Sequence, residues 1–493
     1  MAYRNRSKSV LSKQSKKSDD KAHYKSHSKK KSKSKSKSKK KLRIYWRYIS
    51  IIWVLWLGLV YYYESMVVKR AMKKCQWSSW ENWPEGAESH KVGLFADPQI
   101  MDDYSYPGRP LIVNYFTRVL LDHYHKRNWK YVQYYLDPDS NFFLGDLFDG
   151  GREWDDEYWI KEYTRFNNIF PKKPLRRTVM SLPGNHDIGF GDTVVESSLQ
   201  RFSSYFGETS TSLEVGNHTF VLLDTISLSD KKNPSVSRIP MEFLDNFSMG
   251  SHPQPKILLT HVPLYRNAEQ QTCGELRESK KPFPIQSGEQ YQTVIDSEIS
   301  QQILTAVQPE LLFSGDDHDY CRISHSYPFH GETKIAEEIT VKSCAMNMGI
   351  NRPAIQLLSL YNPSDLKTVN AGEEYESKTY QTELCYMPDP YKAIRMYLYG
   401  LLWSLFFVLY MNFLPKSFNS HVATRMDRLL SHSGSVNAAL PLPASVSKSK
   451  SKKSSAHSKY SVNETRSTKQ FLVNVGILLA SVMPIFIYFY SIV

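Results

Sequence analysis

Side chains that can bind a metal ion follow several apolar runs of the sequence, each at the point where the run ends. The run at 178–181 leads into residues 182–187, where a carboxamide, an imidazole and a carboxylate stand side by side. Clusters of the same kind follow four other runs. Together the candidate functional residues are Asp97, Gln99, Asp146, Asp149, Asn185, His186, His261, Asp316 and His318.

The chemistry of this set points to metal-assisted hydrolysis. Oxygen and imidazole donors without a thiolate favour hard or borderline cations such as Mn²⁺, iron or Zn²⁺. Carboxylates can bridge two ions, so the set predicts a centre with two ions about 3.5–4 Å apart, as in phosphatases and nucleases. Any one cluster alone could be an ordinary turn, and His261 alone could be a core histidine. We predict that Asp187, Asp317 and Asp319 support the site and are not ligands.

The elements that must position these residues are alternating strands and helices. Helical spacing runs from 110 to 127 and from about 155 to 169. The predicted strands are 92–96, 141–144, 178–181, 220–224, 256–260, 311–314, 339–344 and 354–360. Parallel strands present their carboxyl ends at one edge of a sheet, where α/β folds bind ligands. The sequence therefore predicts an α/β fold with the polar clusters gathered at one edge.

The basic balance of the chain belongs to two low-complexity segments. The 493 residues carry a formal net charge of +14. Residues 1–47 contain 19 Lys and Arg against two acids, and residues 416–469 contain 10 against two, so the remainder is acidic. The first segment cannot bury enough apolar surface to fold. Because an apolar run follows it directly, we favour a membrane protein over one that binds nucleic acid.

Three apolar segments predict a multi-pass membrane protein. Residues 44–63 form an uncleaved signal anchor, since no small-residue cleavage site follows, and 394–414 and 471–493 form two further spans. The positive-inside rule places the disordered tail 1–43 and the loop 415–469 in the cytosol. The basic segments either contact anionic lipid headgroups or are simply solvated. Residues 64–392 then form a lumenal domain.

Cysteine usage and glycosylation sequons agree with this topology. All five cysteines lie within 64–392, where disulfides can form, and the odd number leaves at least one unpaired. The pairing itself stays open. Asn217 and Asn246 begin sequons in the same region, and we predict that both are glycosylated. Asn463 also begins a sequon, but it falls in the cytosolic loop and is predicted to be unmodified.

The ordered motifs resemble the calcineurin-like metallophosphoesterase superfamily over roughly residues 90–360. The matching motifs are Gly-Asp-x-x-Asp at 145–149, Gly-Asn-His-Asp at 184–187, a histidine at 261 and Gly-Asp-Asp-His at 315–318. The resemblance implies a four-layer αββα sandwich and a role for each residue. Asp146 would bridge two metals, Asp97 and His318 would complete the first site, and Asn185, His261 and Asp316 the second. His186 would donate to the phosphoryl or leaving oxygen, with Asp149 orienting it.

Two positions depart from the superfamily pattern. The first motif usually reads Asp-x-His, but here Gln99 stands at the histidine position. The last usually reads Gly-His-x-His, but here Asp316 takes the place of the first histidine. Gln99 still offers a carbonyl oxygen and Asp316 a carboxylate. Because oxygen replaces nitrogen at both positions, the preference shifts toward Mn²⁺ over Zn²⁺.

Over its whole length the chain resembles a fungal family of Mn²⁺-dependent phosphodiesterases that remodel the glycosylphosphatidylinositol (GPI) anchor in the endoplasmic reticulum. That resemblance implies removal of ethanolamine phosphate from a mannose of the GPI glycan, the first mannose for this member. It implies GPI glycans or GPI-anchored proteins as partners and the membrane of the endoplasmic reticulum as location. The alternatives are a phosphatase acting on phosphoproteins or phospholipid headgroups, and a non-catalytic membrane scaffold or cargo receptor.

Overall fold

The structure is a computed structural model that describes Leu42 and residues 44–363, 378–413 and 468–492. Two sheets form the centre of the main body, residues 44–493. The first sheet contains β1 (His90–Phe95), β2 (Ser140–Phe143), β3 (Arg177–Val179), β12 (Ala354–Leu360) and β13 (Tyr380–Tyr386). The second contains β4 (Thr211–Val215), β5 (His218–Leu222), β6 (Lys256–Leu259), β9 (Leu311–Ser314), β10 (Cys321–Phe329) and β11 (Glu332–Thr340). A short hairpin, β7 (Ser287–Gly288) and β8 (Tyr291–Gln292), stands apart.

Both sheets are mixed, and their parallel strands carry the polar clusters. The strand orders are β13-β12-β1-β2-β3 and β10-β11-β9-β6-β5-β4. Strands β1, β2 and β3 run parallel, as do β5, β6, β9 and β11. The carboxyl ends of β1, β2 and β3 therefore deliver Asp97, Asp146 and Asn185, and those of β6 and β9 deliver His261 and Asp316.

The two sheets face each other, and helices cover their outer faces. Phe142 of β2 stacks on Phe220 of β5 with ring centroids 4.9 Å apart, so side chains of both sheets fill the space between them. The next residue along β2, Phe143, points the other way and contacts Trp129 and Phe166. The helices are α3 (Leu111–Tyr135), α4 (Asp156–Ile169), α5 (Asn185–Ile188), α6 (Glu196–Phe206), α7 (Thr225–Leu228), α8 (Pro234–Met249) and α9 (Ser297–Val307). The predicted αββα sandwich is confirmed.

Most predicted strands are present with ends shifted by one or two residues. The strand predicted at 339–344 is wrong in extent, because β11 begins at Glu332 and ends at Thr340. Strands β4, β10 and β13 were not predicted. The helix predicted at 110–127 continues to Tyr135. Asp224, which ends a strand without matching a ligand motif, accepts a hydrogen bond from the Ser227 N–H and caps α7, as befits a structural residue.

Three helices are long and apolar enough to cross a membrane: Trp46–Lys74, Pro390–Phe413 and Thr468–Ser491. We call them the first, second and third spans. They overlap the predicted spans, and the first continues past residue 63 through a π-helical turn, Tyr62–Met66, and α2, Val67–Lys74. The predicted tail 1–43, apart from Leu42, and the predicted loop 415–469, apart from its last two residues, lie outside the described residues. The three helices indicate a multi-pass membrane protein.

A buried charged cluster joins the three spans to α3. Glu64, in the π-helical turn of the first span, lies 2.5 Å from Arg127 Nη1 and 2.9 Å from His123 Nε2. Its other carboxylate oxygen accepts a 2.6 Å hydrogen bond from Tyr397 of the second span. Tyr490 of the third span stacks on the His123 ring at 3.6 Å. A carboxylate buried this deeply needs such partners, so the spans and the body that contains the two sheets are fitted to each other.

Two disulfides lie in the body. Cys75, directly after the first span, bonds to Cys385 in β13, 310 residues later. Cys273 bonds to Cys321. Cys344 is free and buried, which confirms that one cysteine stays unpaired.

Candidate metal centre

Two glycines allow the polar loops to approach each other closely. A Cβ at Gly184 would lie 2.0 Å from Asp146 Oδ1 and 2.2 Å from the Asp146 nitrogen. A Cβ at Gly145 would lie 2.4 Å from His261 Nδ1, and this residue also has a left-handed φ of +92°. Real Cβ atoms never approach so closely, so only glycine fits at either position. Because Gly145 and Gly184 have no side chain, the loops that follow β2, β3 and β6 can approach one another closely.

Backbone strain is concentrated in the same loops. Five candidate residues have left-handed φ values between 34° and 65°, which side chains other than glycine seldom adopt. They are Asp97, Gln99, Asp146, Asp316 and His318. Each such conformation costs on the order of 1–3 kcal/mol and persists where the surroundings enforce it, typically at functional sites.

His261 lies at the centre of one group of donors. Its Nδ1 is 2.7 Å from the Leu144 carbonyl oxygen, which assigns a hydrogen to Nδ1 and directs Nε2 into the site. Around Nε2 lie Asn185 Oδ1 at 3.3 Å, Asp146 Oδ1 at 3.4 Å and Asp316 Oδ1 at 3.6 Å. These four residues are the set expected for the second metal.

Asp97 lies beside this group and is fully buried. Its Oδ1 accepts a 3.0 Å hydrogen bond from the Asp316 N–H and is 3.8 Å from His261 Nδ1. Its Oδ2 is buried without a hydrogen-bond partner, as is Oε1 of Gln99. Ligand atoms of Asp97, Asp146 and His261 lie within 4.8 Å of one another. Unpartnered buried oxygens beside clustered carboxylates fit a site built for a cation.

The charges of the cluster favour a cation as well. Burial should lower the pKa of His261, but Asp146, Asp316 and Asp97 outweigh it and raise that pKa to about 10. Burial also raises the pKa of Asp97 well above its usual value, and the nearby Asp146 adds to this effect. A proton on His261 thus serves as the counter-charge, and a divalent ion can replace it by binding Nε2. The donor set fits a metal site.

His318 reaches the same edge from the loop after β9. Burial lowers the pKa of His318, against the opposing effect of Asp316 and Asp146, and a neutral imidazole is the form that binds metal. Its backbone carbonyl accepts a 2.9 Å hydrogen bond from the Ser343 N–H, which fixes the loop.

Gln99, Asp149 and His186 form a chain of contacts at the rim. Gln99 donates from Nε2 to Asp149 Oδ1 at 2.8 Å. The Asp149 carbonyl oxygen lies 2.6 Å from His186 Nδ1, and its carboxylate lies 3.4 Å from the same atom. The backbone N–H of His186 donates to Asp146 Oδ1 at 2.9 Å. The structure thus brings all nine candidate residues to one edge, where the side chain of His186 is partly exposed.

Residues that support the cluster were predicted only in part. Asp187 accepts hydrogen bonds from the backbone N–H groups of Leu147, Phe148 and Gly184, at 2.8–3.1 Å, and so ties the Asp146 loop to its own. Asp317 pairs with Arg277, and Asp319 lies 2.8 Å from Lys342 Nζ. The carboxylates of all three acids thus have protein partners, and their supporting role stays a prediction.

Sequence reasoning missed two neighbours, because neither belongs to a motif. The Gln290 carbonyl oxygen accepts a hydrogen bond from Asn185 Nδ2 at 3.2 Å, which turns Asn185 Oδ1 toward His261. Arg152 donates to the Asn185 carbonyl oxygen at the same distance. Both contacts come from loops whose path is set by the fold.

Comparison with known proteins decides the family. A family model described as Calcineurin-like phosphoesterase matches residues 90–320. The chain is 80% identical to Cell division control protein 1 of Saccharomyces cerevisiae over 493 residues, all of both chains. The chain belongs to the calcineurin-like phosphoesterase family. This phosphoesterase is also 30% identical to Metallophosphoesterase 1 of Gallus gallus over 222 residues, 41% of this chain and 55% of that one. Metallophosphoesterase 1 of Xenopus laevis is 27% identical over 304 residues, which are 54% of this chain and 71% of that one.

Membership makes the chain a phosphoric ester hydrolase with a metal-binding site. The geometry shows which residues surround that site. Asn217 and Asn246, which begin the sequons predicted to be glycosylated, are exposed.

Proposed function

We propose that this phosphoesterase removes ethanolamine phosphate from a mannose of the GPI glycan, the first mannose, at the lumenal face of the endoplasmic reticulum membrane. The observation that carries the proposal is a complete set of metal donors in a body that is fitted to three membrane spans through Glu64. A lipid-tethered phosphodiester suits such an enzyme. A scaffold or cargo receptor would not need the buried donors, the strained loops and His186 together.

We propose that two divalent ions, Mn²⁺ by preference, bind at the cluster. Asp97, Gln99 and His318 would hold one ion, and Asn185, His261 and Asp316 would hold the other, with Asp146 shared between them. Oxygen at Gln99 and Asp316 favours Mn²⁺ over Zn²⁺. When bound, the ions would supply a hydroxide nucleophile and positive charge for the phosphoryl oxygens.

His186 is proposed as the proton donor. Because Nδ1 is engaged by the Asp149 carbonyl oxygen, Nε2 is the nitrogen that points toward substrate. Donation from Nε2 requires the doubly protonated ring, and the Asp149 carboxylate at 3.4 Å balances its positive charge. Gln99 fixes that carboxylate through its own amide hydrogen bond. Asp149 is therefore a positioning residue.

Replacing His186 by alanine in cells should leave GPI glycans with an additional ethanolamine phosphate. A lost proton donor costs about 10²–10⁴ in rate, enough for the substrate to accumulate. Mass spectrometry of GPI glycans measures the difference and identifies the mannose. His330→Ala, an exposed histidine on the β10–β11 hairpin, is the matched control and should give wild-type glycans. A glycan profile in His186→Ala cells that is identical to the wild-type profile would reject the GPI substrate and favour a phosphoprotein or phospholipid headgroup.

The lumenal location is supported by two disulfides and two exposed sequons in one body. We expect endoglycosidase treatment to increase the electrophoretic mobility of the wild-type protein. Asn217→Gln and Asn246→Gln should each remove one glycan, because both side chains are accessible. Asn463→Gln is the control and should change nothing. A protein insensitive to endoglycosidase would contradict the glycosylation, and a change at Asn463 would contradict the topology.

A further inference from the structure

The first turns of α3 expose an unusually apolar surface. Leu111, Ile112 and Phe116 are 81%, 65% and 61% exposed, and Val113, Tyr115 and Val119 are exposed as well. We call residues 111–119 the α3 tip. Its one charged residue, Arg118, is paired with Asp103 at 2.7 Å. A contiguous exposed apolar patch of this kind marks a surface that is covered in the working protein.

The apolar residues of the α3 tip form one broad face. Five of them, at positions 111, 112, 113, 115 and 116, span an arc of about 200° around the helix. The later half of α3 is different, because its apolar residues Leu121, Trp129 and Val132 are buried against the sheet. An exposed apolar face of this breadth is one that either protein or lipid covers.

The direction of α3 relative to the first span distinguishes between a cover of protein and a cover of lipid. His123 and Arg127 contact Glu64 at the end of the membrane segment. Farther along, the Tyr135 carbonyl oxygen accepts a hydrogen bond from Gln76, beyond the end of α2. Both helices therefore advance in the same direction, away from the bilayer. The α3 tip lies on the opposite side of His123, and Leu111 is about 18 Å back toward the bilayer along the helix.

The level of the membrane surface supports this placement. Exposed aromatic residues that favour the interface lie next to Glu64 along the first span, Tyr61 and Tyr62, and two residues before Tyr490 along the third, Tyr488. Residues that extend from this level toward the spans enter the hydrocarbon region. The direction of α3 thus puts the α3 tip at the depth of the lipid-facing residues of the spans.

We propose that the α3 tip is buried in the lipid leaflet next to the phosphoesterase body, so that the bilayer is what covers it. The same chain segment carries the site, since the loop from Gln99 leads directly to Leu111. Lipid insertion would hold this loop, and with it the metal centre, at the membrane surface. The lipid contact is independent of the proposed substrate, whereas the benefit for a lipid-tethered ester rests on the proposed function.

The depth of the α3 tip can be measured with nitroxide labels on the full chain in lipid nanodiscs. Ile112→Cys and Phe116→Cys report on the tip, and Tyr134→Cys, 76% exposed at the far end of the same helix, is the matched control. The wild-type protein is the blank, because Cys344 is buried and the other cysteines are paired. Oxygen should relax the tip labels more than a water-soluble nickel chelate does, and the control should show the reverse.

Two outcomes of this measurement would overturn the proposal. Labels at 112 and 116 that respond to the nickel chelate as strongly as the label at 134 would place the tip in water. Labels shielded from both reagents would mean that protein covers the tip, either a second copy or another part of this chain. Both readouts are independent of enzyme activity, so they stand whatever the substrate is.

Activity tests the consequence for the site. In vesicles, the double variant Ile112→Asn/Phe116→Asn should hydrolyse a lipid-embedded phosphodiester about tenfold more slowly, since small misplacements of a site are costly. Hydrolysis of a water-soluble nitrophenyl phosphodiester should stay at the wild-type rate, and Tyr134→Asn should change neither. Equal rates on the lipid-embedded ester would contradict the role of the tip. Failure of the wild-type protein on both esters would instead contradict the proposed function.

Discussion

Asp146→Asn is expected to lower phosphodiester hydrolysis about a thousandfold and to abolish binding of at least one metal ion. Asp146 is the carboxylate shared by both proposed ions, and it lies 3.4 Å from His261 Nε2 while accepting the His186 N–H. The substitution keeps the shape of the side chain but removes the negative charge. Loss of several kcal/mol of charge stabilisation corresponds to this reduction in rate.

The measurement combines kinetics with metal analysis of the purified protein. Wild type should contain two divalent ions per chain, and metal-free protein should recover more activity with Mn²⁺ than with Zn²⁺. Asp137→Asn is the matched control, because this carboxylate pairs with Lys173 and Arg176 away from the site. If Asp146→Asn keeps both ions, the bridging role is wrong. Greater recovery with Zn²⁺ would refute the preference proposed for Mn²⁺.

Gly184→Ala is expected to disrupt the centre although it adds a single methyl group. The Cβ would lie 2.0 Å from Asp146 Oδ1 and 2.2 Å from the Asp146 nitrogen, and the contacted backbone cannot yield as a flexible side chain would. The Asp146 loop must therefore shift. We expect loss of metal and of activity, together with a decrease of about 1–3 kcal/mol in the free energy of unfolding.

Thermal unfolding with and without added Mn²⁺ separates the two effects. Wild type should be stabilised by the ion, and Gly184→Ala should lose that stabilisation. Gly58→Ala in the first span is the control, because a Cβ there meets nothing within 4 Å. A Gly184→Ala protein with wild-type metal content would show that the two loops do not need this close approach.

The donors could be identified from the sequence because each lies within a few residues of the strand that positions it. Each follows a strand directly, so a strand prediction correct to within two residues was enough to bring Asp97, Asp146 and His261 to one edge. The orientation of the donors was not accessible in this way. The hydrogen bond from Asn185 to the Gln290 carbonyl oxygen joins residues 105 positions apart, and no pattern near either residue signals it.

The apolar spacing of α3 shows a different limit. Ile112, Tyr115, Phe116 and Val119 repeat as core residues do, and sequence periodicity cannot distinguish a side chain buried in protein from one that avoids water in another environment. The missed strand β10 is a simpler case. Its residues alternate between buried and exposed, with Ile323 and Tyr327 inward and Arg322 outward, which is a period-2 signal present in the sequence.

The connections between the spans and the body leave the body little freedom to tilt relative to the spans. Three residues separate β13 from the second span, and the first span continues without a break through α2 to Lys74. The Cys75–Cys385 bond then ties these two connections together. The height of the metal centre above the bilayer is thus a fixed dimension of the molecule. For the proposed glycan substrate, which rises from a lipid, such a dimension would act as a ruler and select a phosphate by its distance from the membrane.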